Sequence, residues 1–280
     1  MNPIILDGKK VAESIYTALR PRAAALVEKL GFTPVLATIV VGDDYASHTY
    51  VKMKASACKK AGLDSRIITL PSATTTEQLI AEIEALNADK TVAGILLQHP
   101  VPEHIDEPAC FNAIDPRKDS DGVNLLSFAR NAMGQSAFGC ATPQGIMDLL
   151  EYYHIEVAGK LVVVIGRSAI VGKPLAMMML NKNATVMICH SKTQNIKQLT
   201  QQADILCVGI GRPEHVDETW VKSGVVLVDA GYNEGNVGDT DIERIKDKTS
   251  AYTPVPGGVG PMTIATLIRQ TLEAAEHHWT

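Results

Sequence analysis

The sequence predicts an α/β protein of two domains, the second built on a doubly wound parallel sheet, and three observations carry that expectation. Branched apolar residues run from Leu161 to Ile165, stop at Gly166 and give way to a helix start with Pro174 in its first turn. Three more short apolar runs follow, at 184–189, 204–208 and 225–229, each reached through a helix-length segment. The first half repeats the alternation, and 280 residues are enough to bury two cores.

In chain order, Asp7 is placed to cap a helix whose apolar positions Val11, Ile15, Ala18 and Leu19 recur at steps of three and four, and Pro21 is expected to kink or restart it. A strand follows at 33–41, ending in the turn and cap cluster Gly42-Asp-Asp44. The next helix carries Tyr50 and Lys54, four apart and therefore on one face. Taken alone, such a pair is an ordinary half-exposed surface. Residues 65–70 read as a strand, 76–88 as an amphipathic helix and 92–97 as a buried strand ending in the polar Gln98-His-Pro100. The stretch Asp115-Pro-Arg-Lys-Asp-Ser-Asp-Gly122 has the composition of a solvated turn. Between 123 and 145 the pattern loosens, which marks a domain boundary and hinge. The run from Thr253 to Thr263, stiffened by prolines and opened by glycines, suits a loop that holds a flat ligand by main-chain contacts, and an amphipathic helix with Ile264, Leu267, Ile268 and Leu272 on one face closes the chain.

Ligands of doubly wound sheets bind at the carboxyl ends of the strands. Here those ends are Gly166-Arg-Ser168, His190-Ser-Lys192, Gly209-Ile-Gly211 and Gly231-Tyr232, which suits a Rossmann-like nucleotide crevice. The glycine spacing differs from the common dinucleotide fingerprint, so by itself the first turn is equally an ordinary strand-to-helix connection. Where an NAD site places an acid for the ribose hydroxyl, this chain has Ser191 and Lys192, with Arg167 nearby, which favours the 2′-phosphate of NADP.

The net charge of −5, with both signs scattered, argues against nucleic acid as the main partner. No apolar run approaches the ~20 residues of a membrane span, and the first residues lack signal-peptide anatomy, so a cytoplasmic protein is expected. The five cysteines are far apart and read as buried thiols, and the eight histidines form no ligand pair, so no metal is expected. On these residues alone the chain reads as a two-domain NADP-dependent dehydrogenase, a description that also suits shikimate or amino-acid dehydrogenases.

Several segments stand together in one order: Tyr50 and Lys54, Gly94-Ile-Leu-Leu-Gln98 with Pro100, Lys118-Asp-Ser-Asp-Gly122, Gly166-Arg-Ser to Lys173-Pro174, Gly238-Asp239, and Pro254-Val-Pro-Gly-Gly-Val-Gly-Pro-Met-Thr263. With them, the chain resembles the bifunctional methylenetetrahydrofolate dehydrogenase/methenyltetrahydrofolate cyclohydrolase family over nearly its whole length. The proline-glycine loop separates it from the shikimate type. The resemblance implies two α/β domains flanking a cleft, with 1–122 binding folate, 123–260 binding NADP, and helix 261–280 packing back on the first. It implies a homodimer made through the cofactor domains, and oxidation of 5,10-methylenetetrahydrofolate by NADP followed by hydrolysis to 10-formyltetrahydrofolate.

Carried over by position, Lys54 is the catalytic lysine, Tyr50 stacks on or shields the folate, Gln98 hydrogen-bonds near Lys54 and Asp121 grips the pterin. Pro100, Pro256, Gly257, Gly258 and Val259 line the folate site, and Gly166, Arg167, Ser168, Ser191 and Tyr232 hold the cofactor. The chain departs from the common pattern at His99, Ser120, Val123, Asn124, Cys140-Ala141 and Tyr232, none of which removes a catalytic group.

Overall fold

The computed structural model describes residues 2–42 and 45–279, and of residues 45–50 and 278–279 the backbone alone. In chain order the elements are β1 (Ile4–Ile5), α1 (Gly8–Leu30), β2 (Val35–Val41), α2 (Tyr45–Ala61), β3 (Asp64–Leu70), α3 (Thr76–Ala88), β4 (Val92–Leu97), α4 (Glu107–Ala113), α5 (Leu125–Ala132), α6 (Ala141–Tyr152), β5 (Leu161–Ile165), α7 (Gly172–Asn181), β6 (Thr185–Cys189), α8 (Ile196–Thr200), β7 (Ile205–Val208), β8 (Val225–Asp229), α9 (Ile242–Ile245), β9 (Thr249–Tyr252) and α10 (Val259–Trp279). Two compact units result, one of residues 1–12, 131–135 and 142–263, the other of residues 13–130, 136–141 and 264–280.

The first unit holds a six-stranded sheet of order β1-β9-β8-β7-β5-β6, parallel throughout. Strand β5 sits inside it with β6 on one side and β7 on the other, so the winding reverses at β5. Its branched run is what a strand covered on both faces requires, and Val162, Val163, Val164 and Ile165 are each at most 3% exposed. The doubly wound sheet expected from 161–229 is present, lengthened by β9 and by the two-residue β1, which lies along β9. A pair as short as Ile4-Ile5 has no periodicity to read, so its pairing is set by the neighbouring strand.

The second unit holds a three-stranded parallel sheet of order β3-β2-β4. Every residue of β2 and of β4 is buried, whereas β3 alternates at the sheet's edge. Helix α3 starts on a capping box in which Thr75 and Gln78 satisfy each other's backbone amides. The apolar face of α10, with Leu267, Ile268 and Leu272 fully buried, completes this core.

Two local expectations are corrected. Helix α1 does not restart at Pro21 but runs unbroken from Gly8 to Leu30, because Leu19, Ala23 and Leu26 are buried on either side of the proline and burial outweighs one lost backbone bond. Asp7 caps it as expected, its carboxylate accepting the Lys10 amide at 3.1 Å. The loosely patterned stretch from 123 to 145 folds as α5 and the start of α6, where Asn124 accepts the Leu126 amide on its side chain and the Phe128 amide on its carbonyl. Nor is 115–122 a solvated turn, since Lys118, Asp119 and Ser120 are buried. The Lys118 ammonium donates to the carbonyls of Leu86, Asn87 and Asp89 at the end of α3, and the Asp119 carboxylate accepts the amides of Val123 and Asn124.

Gln270 of α10 ties this turn to the helix, its amide donating to the carbonyls of Ser120 and Gly139 at 2.7 and 3.0 Å and accepting the Gly139 amide at 3.0 Å. Gln270→Leu keeps the volume but strands three buried backbone groups, so it should lower unfolding free energy by about 2–3 kcal/mol, read by urea denaturation. An unchanged midpoint would show that the turn does not depend on this side chain.

Candidate functional site

At the end of β4 the Gln98 amide donates to the Ile39 carbonyl at 2.8 Å, which fixes the residue against β2. Its side chain is oriented by its own Nε2, which donates to the His99 carbonyl at 2.8 Å and so turns Oε1 outward. That oxygen accepts from Lys54 Nζ at 2.8 Å. Lys54 lies on α2, and burial holds its pKa below the ordinary lysine value, opposed in part by the charge of Asp121. Asp121 answers from the 115–122 turn. Burial raises its carboxyl to about 6, against the pull of Lys54 and of the hydrogen bond with Ala141. The structure thus brings Lys54, Gln98 and Asp121 into one electrostatic group. Such a group can take a proton at the amine and offer a carboxylate to N–H donors.

Other groups press on the same place. Asp119, two residues before Asp121, is raised to about 6 by burial, against the amides of Asn124 and Val123 that hold its charged form. The His99 imidazole is shifted down by burial and stands edge-on to Phe111 with ring centroids 6.4 Å apart. Pro100 beside it is exposed. The Tyr50 side chain lies outside the described residues, while its place on α2 one turn before Lys54 keeps both on one helix face.

The cofactor-type residues gather on the carboxyl rim of the six-stranded sheet. Gly166 ends β5 with φ +131°, and a Cβ there would lie 2.4 Å from the Gly209 carbonyl oxygen at the end of β7. Only glycine fits. At the start of α7 the amides are already taken: Ser168 Oγ accepts those of Val171, just before the helix, and of Gly172, and the Ser168 carbonyl accepts that of Lys173. With those amides bonded within the chain, attraction for an anion falls to exposed side chains and the helix dipole. Those side chains are Arg167 after β5 and Ser191 and Lys192 after β6. The β6 turn is closed by His190, whose amide donates to Thr193 Oγ1 and whose Nδ1 accepts the Lys192 amide, leaving the two residues outward. Tyr232, after β8, is 52% exposed, and its hydroxyl bonds the Asn236 side chain.

Pro256 is exposed, whereas Gly257, Gly258 and Val259 are buried in the unit of the six-stranded sheet. A Cβ at Gly258 would meet the Pro254 carbonyl oxygen at 2.7 Å, and one at Gly8 would meet the Gly258 carbonyl oxygen at 1.8 Å. Gly258 is thus demanded by the loop's own fold and Gly8 by the close approach of the loop to the start of α1, whether or not a ligand follows.

Sequence reasoning missed Lys118, Asp119 and Gln270, which hold the Asp121 turn, and Asp229, which joins the rim loops. A glutamine on the buried stripe of α10, three residues after Leu267, was the available signal for Gln270. For Lys118 no local signal exists, since its partners are backbone groups about thirty residues away, whereas Asp119 bonds amides four and five residues on, as an acid in a turn does.

Known proteins support one reading. Residues 6–121 match the family model "Tetrahydrofolate dehydrogenase/cyclohydrolase, catalytic domain", and residues 140–279 match the "NAD(P)-binding domain" of the same family. The chain is 59% identical over 276 residues to the bifunctional protein FolD of Acinetobacter baumannii, covering 98% of each. It is 56% identical over 276 residues to that of Cellvibrio japonicus, covering 99% of each. A crystal structure of the bifunctional FolD methylenetetrahydrofolate dehydrogenase/cyclohydrolase from Campylobacter jejuni superposes with a TM-score of 0.94 at 43% identity, covering 98% of both chains.

The coupling within the amine site has a direct consequence. In Lys54→Met the positive charge that pulls the Asp121 carboxyl down is gone, so its midpoint should rise above about 6, followed by carboxyl carbon NMR across pH. A midpoint that stays or falls would mean that the two groups do not sense each other.

Proposed function

This chain belongs to the tetrahydrofolate dehydrogenase/cyclohydrolase family, and from that premise we propose that it oxidises 5,10-methylenetetrahydrofolate with NADP and hydrolyses the methenyl product to 10-formyltetrahydrofolate. The observation that supports this most is the Lys54, Gln98 and Asp121 group, a lysine with a lowered pKa in contact with a neutral amide and coupled to a carboxylate.

The substrate needs little from the protein in the first step beyond position. NADP, when bound, supplies the acceptor for a hydride. The two nitrogens flanking the methylene carbon donate into the cation as the hydride leaves, so no side chain has to act as acid or base. Asp121, ionised above about pH 6, accepts N–H donors of the pterin and sets the ring's orientation. An ammonium at Lys54 would repel the product cation. Burial works against that charge.

Hydrolysis then draws on the amine. A neutral Lys54 still donates one N–H to Gln98 Oε1 and keeps its lone pair for the proton of a water attacking the methenyl carbon. The carbinol so formed collapses to the formyl group as its bond to N5 breaks and the hydroxyl proton passes to N5. The lysine ammonium is held by Gln98 and sensed by Asp121 until it returns its own proton to solvent. Gln98 can do this because its Nε2 is committed to the His99 carbonyl, which keeps an acceptor toward the lysine. Tyr50 on the same face would shield the folate, with Pro100 lining its site.

Gly166, Arg167, Ser168, Ser191 and Tyr232 would hold the dinucleotide. Arg167, Ser191 and Lys192 offer donors to a 2′-phosphate, and the turn after β6 has no acid for a ribose hydroxyl, which favours NADP over NAD. We assign the folate site to residues 1–122 and the cofactor site to 123–260. A homodimer through the cofactor domains fits the free edge of β6, where Val186, Met187 and Ile188 are half-buried, and light scattering should then give twice the 30.1 kDa chain mass. No helix among the described residues is long and apolar enough to cross a membrane, and all five cysteines are buried and free, which suits the cytoplasm.

One time course tests the reading: protein, methylenetetrahydrofolate and NADP, with reduced nicotinamide and methenyl followed at separate wavelengths. Reduced cofactor should rise while methenyl stays low, and in Lys54→Met methenyl should build up or hydrolysis of added methenyl should cease. A Lys54→Met enzyme that hydrolyses at the wild-type rate would remove the lysine from this role.

A further inference from the structure

Two carboxylates behind the cofactor rim carry no part in the reaction above, yet both are almost wholly buried, Asp229 at 2% exposure and Asp239 at 0%. A buried carboxylate persists only where donors replace the lost water. Asp239 has four. Its Oδ2 accepts the amides of Ile210 and Gly211 at 2.6 and 3.0 Å, and its Oδ1 accepts the amide of Arg212 at 2.9 Å and Asn233 Nδ2 at 3.0 Å. Asp229, ending β8, holds Asp239 in turn. Its Oδ1 accepts the amides of Gly231 and Asp239 at 2.8 and 3.1 Å, and its Oδ2 accepts the Thr240 amide and hydroxyl at 2.8 and 2.7 Å.

The consequence lies at the switch point of the sheet. Three consecutive amides after β7 converge on one carboxylate, so the 209–212 turn has a single available shape. Its first carbonyl, that of Gly209, is the group pressed against Gly166 at the end of β5. Displacing the turn therefore displaces the backbone against which the first cofactor turn rests. Glycine at 231 and 238 makes the arrangement possible, because a Cβ at Gly231 would lie 2.3 Å from the Asp239 carboxyl carbon and one at Gly238 would lie 2.1 Å from Asp229 Oδ2.

We propose that Asp239, seated by Asp229, is the positioning residue of the dinucleotide site, acting through the 210–212 amides and the Gly209 carbonyl on Gly166. It touches no reacting atom. By occupying these amides it also denies them to phosphates, which leaves the anionic part of a dinucleotide to the β5 and β6 ends where Arg167, Ser191 and Lys192 stand. The inference rests on the dehydrogenase reading given above.

Asp239→Asn tests it. An amide group presents a single acceptor oxygen where four donors converge, so its NH2 faces backbone N–H groups and the turn must reshape. The expected result is a KM for NADP raised about tenfold or more, with a smaller change in kcat at saturating NADP. Hydrolysis of methenyltetrahydrofolate, measured without cofactor, should keep its wild-type rate and serves as the internal control for folding. Asn233→Ala, which removes one of the four donors, should raise the same KM by a lesser factor and covers the case in which Asp239→Asn does not fold. If both variants keep the wild-type KM for NADP, or if KM for folate and the hydrolysis rate move together with it, the positioning role is wrong. If the wild-type protein shows neither oxidation nor hydrolysis, the functional reading fails instead, and the two failures are separate.

Discussion

The Lys54 amine is partly withdrawn from water, which disfavours its charge, and the side chains of Gln98 and Asp121 are held where they act on it. Burial alone would neutralise the lysine and leave it inert. Gln98 gives it a partner that accepts without adding charge, and Asp121 supplies a counter-charge that is itself weakened by burial. The balance between these terms makes the amine both deprotonated enough to accept a proton and stable enough to hold one. Each term has a structural origin. Gln98 is fixed by the end of β4, and Asp121 by a turn whose flanks are bonded to α3 and α10 through Lys118 and Gln270.

The two units each bury charge, to different ends. Around Lys54 the raised carboxyl of Asp121 and the lowered amine are the signature of burial. At Asp239 the carboxylate meets donors on both oxygens, and the charge serves as a fixed anchor for backbone. One arrangement moves protons, and the other holds a shape. A protein that performs a proton transfer and a hydride transfer on the same substrate needs both.

Much of this was legible in the sequence, for identifiable reasons. The parallel sheet announced itself through the branched runs at 161–165 and 225–229, since strands covered on both faces have little freedom in composition. The Tyr50 to Lys54 spacing gave a shared helix face, although only the likeness to a known family raised it above an ordinary surface pair. What escaped depends on distance along the chain. Lys118 bonds carbonyls about thirty residues away and Gln270 bonds a turn 150 residues away, so composition near them suggested solvent. Strand β1 is too short to carry a pattern, and Pro21 was read by a local rule that the buried residues around it override. Ser168 is the instructive case, because a residue expected to face a ligand also uses its hydroxyl oxygen to accept the amides of Val171 and Gly172.

The charge state of one amine decides how this site works, and it is read by titrating Lys54 itself, by NMR of protein carrying labelled lysine, with Lys54→Met to assign the signal. Its midpoint should fall clearly below the ordinary lysine value of 10.5, and the hydrolysis rate should follow the same titration. A midpoint at or above that value would mean that the site holds an ammonium throughout, and that the base for hydrolysis must be sought in another group.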